Sequence, residues 1–142
     1  MNRSSTAEAF RAALGEQLAY FERETTELVR KAYPDAVKMA SIQTLIGDYC
    51  ELARSWLEGG AEHGPDDLAW IGSNVVVLDE TDGTEETYRL VMPHEIDADL
   101  GHISFLSPLG RRLLTAKGGD RLEVKSPAGS YYVRLTEVRY GD

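Results

Sequence analysis

Two stretches of helical apolar periodicity, separated only by a short segment around Pro34, constrain the fold of this chain more than any other feature. Apolar or small residues recur at steps of three and four through each stretch, as they do along the packed face of a helix. They are Ala7, Phe10, Leu14, Leu18, Phe21, Thr25, Leu28 and Ala32 in the first stretch, and Ile42, Leu45, Tyr49, Leu52 and Trp56 in the second. Because Pro34 cannot donate a helical hydrogen bond and also restricts Tyr33, the first helix should end near Ala32. Two such faces joined by so short a turn predict an antiparallel helical hairpin, a two-stranded coiled coil.

The predicted hairpin is long for a chain of 142 residues. Ser5 and Glu8 have the spacing of a capping box at a helix start, and a second helix is expected over residues 36–57. A first helix of about 28 residues would be roughly 42 Å long. We therefore expect a projecting helical probe. The alternative is that both helices fold back on the rest of the chain as part of one α+β core.

The sequence pattern changes after residues 58–67, which contain three glycines and a proline. Such a stretch ends a helix and forms a loop or linker. Short β-type runs follow it instead of helical periodicity. The predicted fold class is α+β, with residues 1–60 as the helical hairpin, residues 61–71 as a linker and residues 72–142 as a β-rich domain.

Within the β-rich domain, turn residues divide the chain into two predicted hairpins and one short helix. The first hairpin spans residues 74–91 around Asp82-Gly83, and the second spans residues 120–135 around Pro127-Ala128-Gly129. Residues 103–106 are expected to form a further strand. Ser107 offers an N-cap hydroxyl before Pro108, so a short helix should follow and end at Gly118.

The charge of the chain argues against general binding to nucleic acid. The formal net charge is -9, with 7 basic and 9 acidic side chains in residues 1–60 and 8 and 15 in residues 61–142. Neutralising phosphates requires clustered Lys and Arg, which neither half provides. An acidic body of this kind is better suited to a basic surface on a protein partner.

Cysteine and histidine usage predicts neither a disulfide nor a metal site. Cys50 is the single cysteine and cannot form an internal disulfide, and it is expected to be a small buried apolar side chain. His63, His94 and His102 lack the close, regular spacing of metal ligands. No signal-peptide run follows the first residues, and no apolar stretch approaches the roughly 20 residues that span a bilayer. The sequence thus predicts a cytoplasmic chain with no membrane span and no cofactor.

One region carries a specific family resemblance. Residues 103–114 read ISFLSPLGRRLL and residues 119–124 read GDRLEV, and both closely resemble the carboxy-terminal domain of the bacterial Gre transcript-cleavage factors. The likeness extends upstream through YRLV at residues 88–91 and EIDAD at residues 95–99, and downstream through SPAG at residues 126–129. It therefore covers residues 72–140, whereas the amino-terminal hairpin resembles the family in architecture and length only.

The resemblance implies a fold, a partner and two contact regions. The domain is expected to be FKBP-like and to bind at the rim of the secondary channel of RNA polymerase, while the hairpin tip enters that channel. Because two contacts at a fixed spacing gain effective concentration without self-association, the chain is expected to bind as a monomer. The implied polymerase-binding residues are Phe105, Ser107, Pro108, Leu109, Arg111 and Arg112. The implied hairpin tip contains Tyr33, Pro34, Asp35, Lys38 and Met39. Capping and helix initiation alone would also explain Ser107 and Pro108.

The tip departs from the family pattern at one position. The family's cleavage activity depends on two acidic tip residues, three apart, that help the polymerase hold a second Mg²⁺, which stabilises the attacking and leaving oxygens. Asp35 matches the first acid, but Lys38 occupies the position of the second. An ammonium there repels a metal and competes for Asp35, whose simpler role is an ordinary helix N-cap. The sequence therefore predicts a divergent, non-enzymatic member that inhibits or modulates transcription without stimulating transcript cleavage.

Three other functions stay open at this point. One is active cleavage stimulation, with Asp35 joined by Asp48 or Glu27, although Asp48 lies thirteen residues, or about 20 Å of helix, away. Another is the related regulator of nucleoside diphosphate kinase, which has a shorter hairpin. The third is FKBP-like peptidyl-prolyl isomerase activity, against which the expected short helix offers no aromatic residue to form a pocket floor.

Overall fold

The computed structural model describes residues 3–59 and 63–141, and the chain divides into two compact units, residues 1–62 and residues 63–142. The first is helical and the second is built on a β-sheet. The predicted α+β class is therefore confirmed. Among the described residues, no helix has both the length and the apolar character needed to cross a membrane.

The helical unit consists of α1 (Arg3–Arg30) and α2 (Ala36–Leu57). The two helices run antiparallel, because residues near the start of α1 meet residues near the end of α2. The rings of Phe10 and Trp56 lie 4.7 Å apart, and those of Phe21 and Tyr49 lie 6.2 Å apart. Helix α1 already includes Arg3, so it begins before the predicted start at Ser5. The structure describes the backbone of Ser5 but not its side chain, so the predicted capping box lies outside what is described.

The core of the hairpin follows the predicted face of α1 more closely than that of α2. Phe10, Leu14, Phe21 and Leu28 are buried as expected. On α2 the buried residues are Ile42, Ile46, Tyr49, Cys50 and Ala53. Leu45, Leu52 and Trp56, which were predicted to face α1, are only half-buried. The packed face of α2 is thus rotated by about one residue from the predicted one.

The second unit is a five-stranded sheet in the order β3-β2-β1-β5-β4. Its elements are β1 (Ser73–Asp79), β2 (Glu85–Val91), β3 (His102–Ser104), α3 (Pro108–Leu113), β4 (Arg121–Ser126) and β5 (Gly129–Tyr140). Strand β3 pairs with β2 in parallel, and the other neighbours are antiparallel. Two 3₁₀ turns, Pro93–Glu95 and Ala98–Leu100, lie between β2 and β3. Alternate strand residues such as Val75, Val77, Val133 and Leu135 are buried, as period-two patterning requires.

Two elements of the second unit differ from the sequence prediction. Helix α3 ends at Leu113 rather than Gly118, because Thr115 adopts a left-handed φ of 66° and its amide donates to the carbonyl of Ala69 at 2.7 Å. The end of the predicted linker also belongs to the core. Leu68, Ala69, Trp70 and Ile71 are all buried. The boundaries of independently folding domains stay a prediction.

Candidate functional site

The hairpin tip, residues 33–39, is an exposed turn that begins α2. Asp35 is the N-cap: its Oδ1 accepts a hydrogen bond from the amide of Lys38 at 2.9 Å. The backbone amide of Asp35 donates to the carbonyl of Ala32 at 2.9 Å, which closes the turn before the cap. The capping role considered for Asp35 is thus what the structure shows.

The tip, residues 33–39, contains one carboxylate, that of Asp35. Tyr33 is 75% exposed and Val37 is 81% exposed, while Met39 is half-buried. Lys38 lies at the third position after Asp35 and is also exposed. Within the described residues there is no group of three or more His, Cys, Asp or Glu side chains arranged to hold a metal ion. The chemistry available at the tip is therefore one capping carboxylate beside an ammonium and two exposed apolar side chains.

In the second unit, the α3 loop (residues 105–112) is held by a short network around Ser107. The Ser107 hydroxyl donates to the carbonyl of Ser104 at 2.7 Å and accepts from the amide of Gly110 at 3.0 Å. Gly110 packs so tightly that an added Cβ would lie 2.1 Å from the Ser104 carbonyl oxygen. The Ser-Pro pair therefore has a clear structural role, because it fixes the start of α3 against the preceding strand.

The implied polymerase-binding residues are not equally available to a partner. Phe105 is fully buried, so its side chain cannot contact another protein, and we correct its expected role from binding to packing. Pro108 and Arg112 are exposed, and Leu109 and Arg111 are half-buried. Ser107 acts through its hydrogen bonds. The accessible set is thus Pro108, Leu109, Arg111 and Arg112, which we call the docking surface.

The two arginines of the docking surface are anchored to the backbone. Arg111 Nε donates to the carbonyl of Leu106 at 3.0 Å, and Arg112 Nε donates to the carbonyl of Glu123 at 2.9 Å. Anchored guanidinium groups lose less conformational freedom when they bind a carboxylate or a carbonyl. The docking surface is therefore a small, cationic and partly apolar surface within an otherwise acidic unit.

Sequence reasoning missed an aromatic and acidic cluster on the sheet. Tyr88 pairs with Val75, and Tyr131 pairs with Val124, so both tyrosines stand on the face that buries those valines. Burial and then the carboxylate of Glu86 raise the pKa of Tyr88. Burial is also the larger cause that raises the pKa of Tyr131, and the carboxylate of Asp79 is the smaller one. Both hydroxyl groups therefore remain protonated donors at neutral pH, and only the strand register, which the sequence does not give, could have revealed the cluster.

Comparison with known proteins identifies the second unit. Residues 64–140 match the family model described as "Transcription elongation factor, GreA/GreB, C-term". The transcription elongation factor GreA of Rhodospirillum rubrum is 44% identical over 75 residues, which cover 53% of this chain and 48% of that protein. GreA of Syntrophobacter fumaroxidans is 34% identical over 102 residues, 72% of this chain and 65% of that protein. The chain spans about half to two thirds of the length of these curated relatives.

Solved structures similar to this chain come from proteins of related names. GreA factor homolog 1 of Thermus thermophilus has a TM-score of 0.46 at 21% identity, with 94% of each chain covered. A GreA/GreB elongation factor from Nitrosomonas europaea has a TM-score of 0.46 at 28% identity, covering 74% of this chain and 96% of that one.

One prediction from the sequence is overturned by these relatives. The chain was expected to have no enzymatic role, yet the curated proteins that match it are named transcription elongation factor GreA. As the family resemblance implies, such factors stimulate hydrolysis of RNA by the polymerase. The presence of Lys38 at the tip is therefore not sufficient ground for excluding a part in catalysis.

Proposed function

This chain belongs to the GreA/GreB family of transcription elongation factors, and on that premise we propose that it binds RNA polymerase and regulates transcription through two contacts. The observation that carries the proposal is the family match over residues 64–140, which includes the whole docking surface. An acidic protein without basic clusters is suited to a protein partner rather than to nucleic acid. A factor with this partner acts in the cytoplasm, as the sequence predicts.

The first contact is the docking surface, which we assign to the rim of the polymerase secondary channel. Pro108 and Leu109 offer apolar contacts, and Arg111 and Arg112 offer donors already fixed by their backbone hydrogen bonds. A small anchored set of this kind is typical of interface hot spots, where arginine is enriched. The surface fits a helical segment of the partner that carries apolar and acidic side chains.

The second contact is the hairpin tip, which we propose enters the channel. Two linked contacts on one partner raise the effective concentration of the second once the first has formed. Self-association is not needed for this advantage, so we propose that one copy acts on each polymerase. Inside the channel, the tip would occupy the route of entering nucleotides and modulate RNA synthesis.

The tip chemistry bears on how this factor takes part in RNA hydrolysis. Asp35 is the only acid of residues 33–39, and one of its oxygens already caps α2. Two carboxylates retain a divalent cation better than one, and the Lys38 ammonium adds repulsion. We therefore propose that modulation of RNA synthesis outweighs stimulation of cleavage at this tip, with Asp35 as the carboxylate that assists the polymerase.

Binding to purified core polymerase tests the docking contact. Arg112→Glu should lower affinity about tenfold or more, since it reverses a fixed charge at the interface, as truncating or reversing a hot-spot group does. Lys125→Glu on β4 makes the same charge change at an exposed position outside the docking surface and should bind like the unmodified protein. Equal loss in both variants would remove the docking surface from the proposal.

Run-off and backtracked-complex assays with Mg²⁺ test the tip contact. Lys38→Glu restores a second acid three residues after Asp35 and should raise the release of short 3′ RNA fragments above that of the unmodified factor. The physical reason is the added metal affinity of a paired carboxylate. If Lys38→Glu leaves cleavage unchanged while Asp35→Asn abolishes it, a single carboxylate is sufficient for cleavage. The proposal that modulation of RNA synthesis outweighs stimulation of cleavage is then wrong.

A further inference from the structure

The large hydrophobic side chains that are exposed among the described residues are few. They are Tyr33, Val37, Ile96, Leu100 and Tyr132. Tyr132 already has a neighbour, because the Arg121 guanidinium lies 3.9 Å from the centre of its ring. The other four fall into two pairs, one at the hairpin tip and one in the loop between β2 and β3. The members of each pair lie four residues apart in the sequence. A contiguous exposed apolar patch is a mark of an interaction surface.

The first pair belongs to a cationic surface. Tyr33 and Val37 are 75% and 81% exposed and flank Asp35 in the sequence. The exposed residues Lys31 and Lys38 lie within two positions of them along the chain. Residues 31–38 contain two lysines and one acid, a net charge of +1. We call Lys31, Tyr33, Val37 and Lys38 the tip surface.

The second pair belongs to an anionic surface. Ile96 and Leu100 are 57% and 66% exposed, with Glu95, Asp97 and Asp99 between and before them. Residues 93–101 contain three acids and no Lys or Arg, a net charge of -3 with His94 neutral. We call Glu95, Ile96, Asp99 and Leu100 the loop surface. The Glu95 Oε1 accepts a hydrogen bond from the amide of Met92 at 3.1 Å, which leaves its other carboxylate oxygen for a partner, whereas Asp97 is assigned to the structure of the loop itself.

The loop surface is held in place by its own hydrogen bonds. Asp97 Oδ1 accepts from the amides of Asp99 at 3.1 Å and Leu100 at 3.3 Å. The backbones of Asp97 and His102 exchange two further hydrogen bonds of 3.1 and 2.9 Å. Gly101 has a φ of 72°, and an added Cβ would lie 2.8 Å from the carbonyl oxygen of Thr87. Ile96 and Leu100 are thus presented on a fixed backbone, which lowers the entropy lost on binding.

We propose that the tip surface of one copy docks on the loop surface of a second copy of this chain. Tyr33 and Val37 pack against Ile96 and Leu100, while the two lysines face Glu95 and Asp99. The two surfaces match in apolar content, with a pair on each, and have opposite charge. Contact between copies covers the tip, so it withdraws from the polymerase the part that we propose enters the channel.

The size of the surfaces sets the strength of the contact. Stable complexes bury about 1,600 Å² in total, and two pairs of side chains with their charged neighbours are well below that area. The association is therefore weak and transient, and it depends on protein concentration. Salt weakens it, because the lysine and carboxylate contacts are exposed and screened.

Sedimentation equilibrium of the full chain over a wide concentration range tests the proposal without polymerase. The average mass should rise with concentration and fall on adding salt. Val37→Ser and Leu100→Ser should each lower the association constant about tenfold, the scale of losing one good apolar contact. Tyr132→Ser removes a large exposed side chain outside both surfaces and should leave the association constant unchanged. Unfolding midpoints measured in parallel identify any variant that has lost its fold.

An exchange of charges identifies the two partners directly. Lys38→Glu alone and Asp99→Lys alone should each self-associate less than the unmodified protein. A mixture of the two variants should recover association, because the carboxylate introduced at the tip of one copy then meets the ammonium introduced in the loop of the other. Recovery in the mixture supports the proposal independently of any effect of either substitution on folding.

Three results would overturn the self-docking. The first is the mass of a single copy at every concentration. The second is association that both Val37→Ser and Leu100→Ser leave unchanged. The third is a crosslink between the tip surface and the loop surface that forms within one copy at high dilution. None of them involves polymerase binding, which is measured with Arg112→Glu on the docking surface, a variant that leaves the tip and loop surfaces unchanged. Failure of this inference is therefore distinguishable from failure of the proposed function.

Discussion

The hairpin tip and the α3 loop begin their helices with the same device in different surroundings. At the tip, Asp35 Oδ1 accepts from the amide three residues on at 2.9 Å, and at the loop the Ser107 hydroxyl does so at 3.0 Å. The tip cap is exposed. The loop cap is also tied to Ser104 and bordered by the close contact at Gly110. One capping pattern can therefore leave a surface free to change its chemistry or fix it in one geometry.

Gly110→Ala should have the largest effect on the α3 loop. The new Cβ would lie 2.1 Å from the Ser104 carbonyl oxygen, and backbone is the obstacle, so the second unit should lose about 3 kcal/mol of unfolding free energy. Urea unfolding followed by fluorescence of buried Trp70 measures the loss. Gly118→Ala is the matched control, because nothing lies within 4 Å of its Cβ, and it should change stability by less than about 0.5 kcal/mol. Similar midpoints for both variants would show that the loop is not rigid.

Ser107→Ala should have the next largest effect. It removes the cap of α3 and the hydrogen bond to the Ser104 carbonyl, so we expect a loss of about 1–2 kcal/mol in the same unfolding measurement. Ser126→Ala is the control, since it removes one exposed serine hydrogen bond at the turn before Gly129. Affinity for core polymerase should fall together with stability in Ser107→Ala. Unchanged stability with reduced affinity would instead assign the hydroxyl to direct contact with the partner.

The smallest effect on stability is expected at the tip. Asp35→Ala should cost about 0.5–1 kcal/mol, and Asp35→Asn a few tenths, because Asn retains a capping oxygen. Thermal unfolding of the hairpin measures both. In transcription assays Asp35→Ala and Asp35→Asn should be impaired to a similar extent, since both variants lack the carboxylate. If Asp35→Asn behaves like the unmodified factor with polymerase, Asp35 is a cap alone.

The sequence predicted the elements of the hairpin well but only part of the buried face of α2, since Ile42 and Tyr49 are buried as predicted and Leu45 and Leu52 are not. Leu45 and Leu52 share one three-four pattern, while Ile46, Cys50 and Ala53 share another. Both patterns satisfy helical periodicity, so periodicity alone cannot choose between them. The aromatic contacts of Phe21 with Tyr49 and of Phe10 with Trp56 fit the observed register, and they depend on a distant part of the chain.

In the second unit, too, local sequence patterns could not predict features that depend on contacts between residues distant in the sequence. Because of the glycines before residue 65, the predicted linker was drawn as far as residue 71. It therefore included Trp70, whose side chain is fully buried. Strand β5 is 12 residues long, although the predicted strand covered only residues 131–135, because Thr136 and Glu137 interrupt the alternation at a bulge opposite β1. The family resemblance placed Phe105 among the contact residues, but its side chain is fully buried. Its burial follows from tertiary packing, which no local pattern reports.

The position of β5 in the sheet has a consequence for biosynthesis. It lies between β1 and β4, so the last strand of the unit fills an interior position of the sheet and pairs Ser73 with Tyr140. Contacts that distant in sequence form slowly, and they cannot form on the ribosome until residues 129–140 have emerged. The contacts of the helical hairpin all lie within residues 3–59, so they can form while residues 129–140 are still being translated. A chaperone that recognises unpaired strands would therefore meet the β unit, and not the hairpin, of a nascent chain.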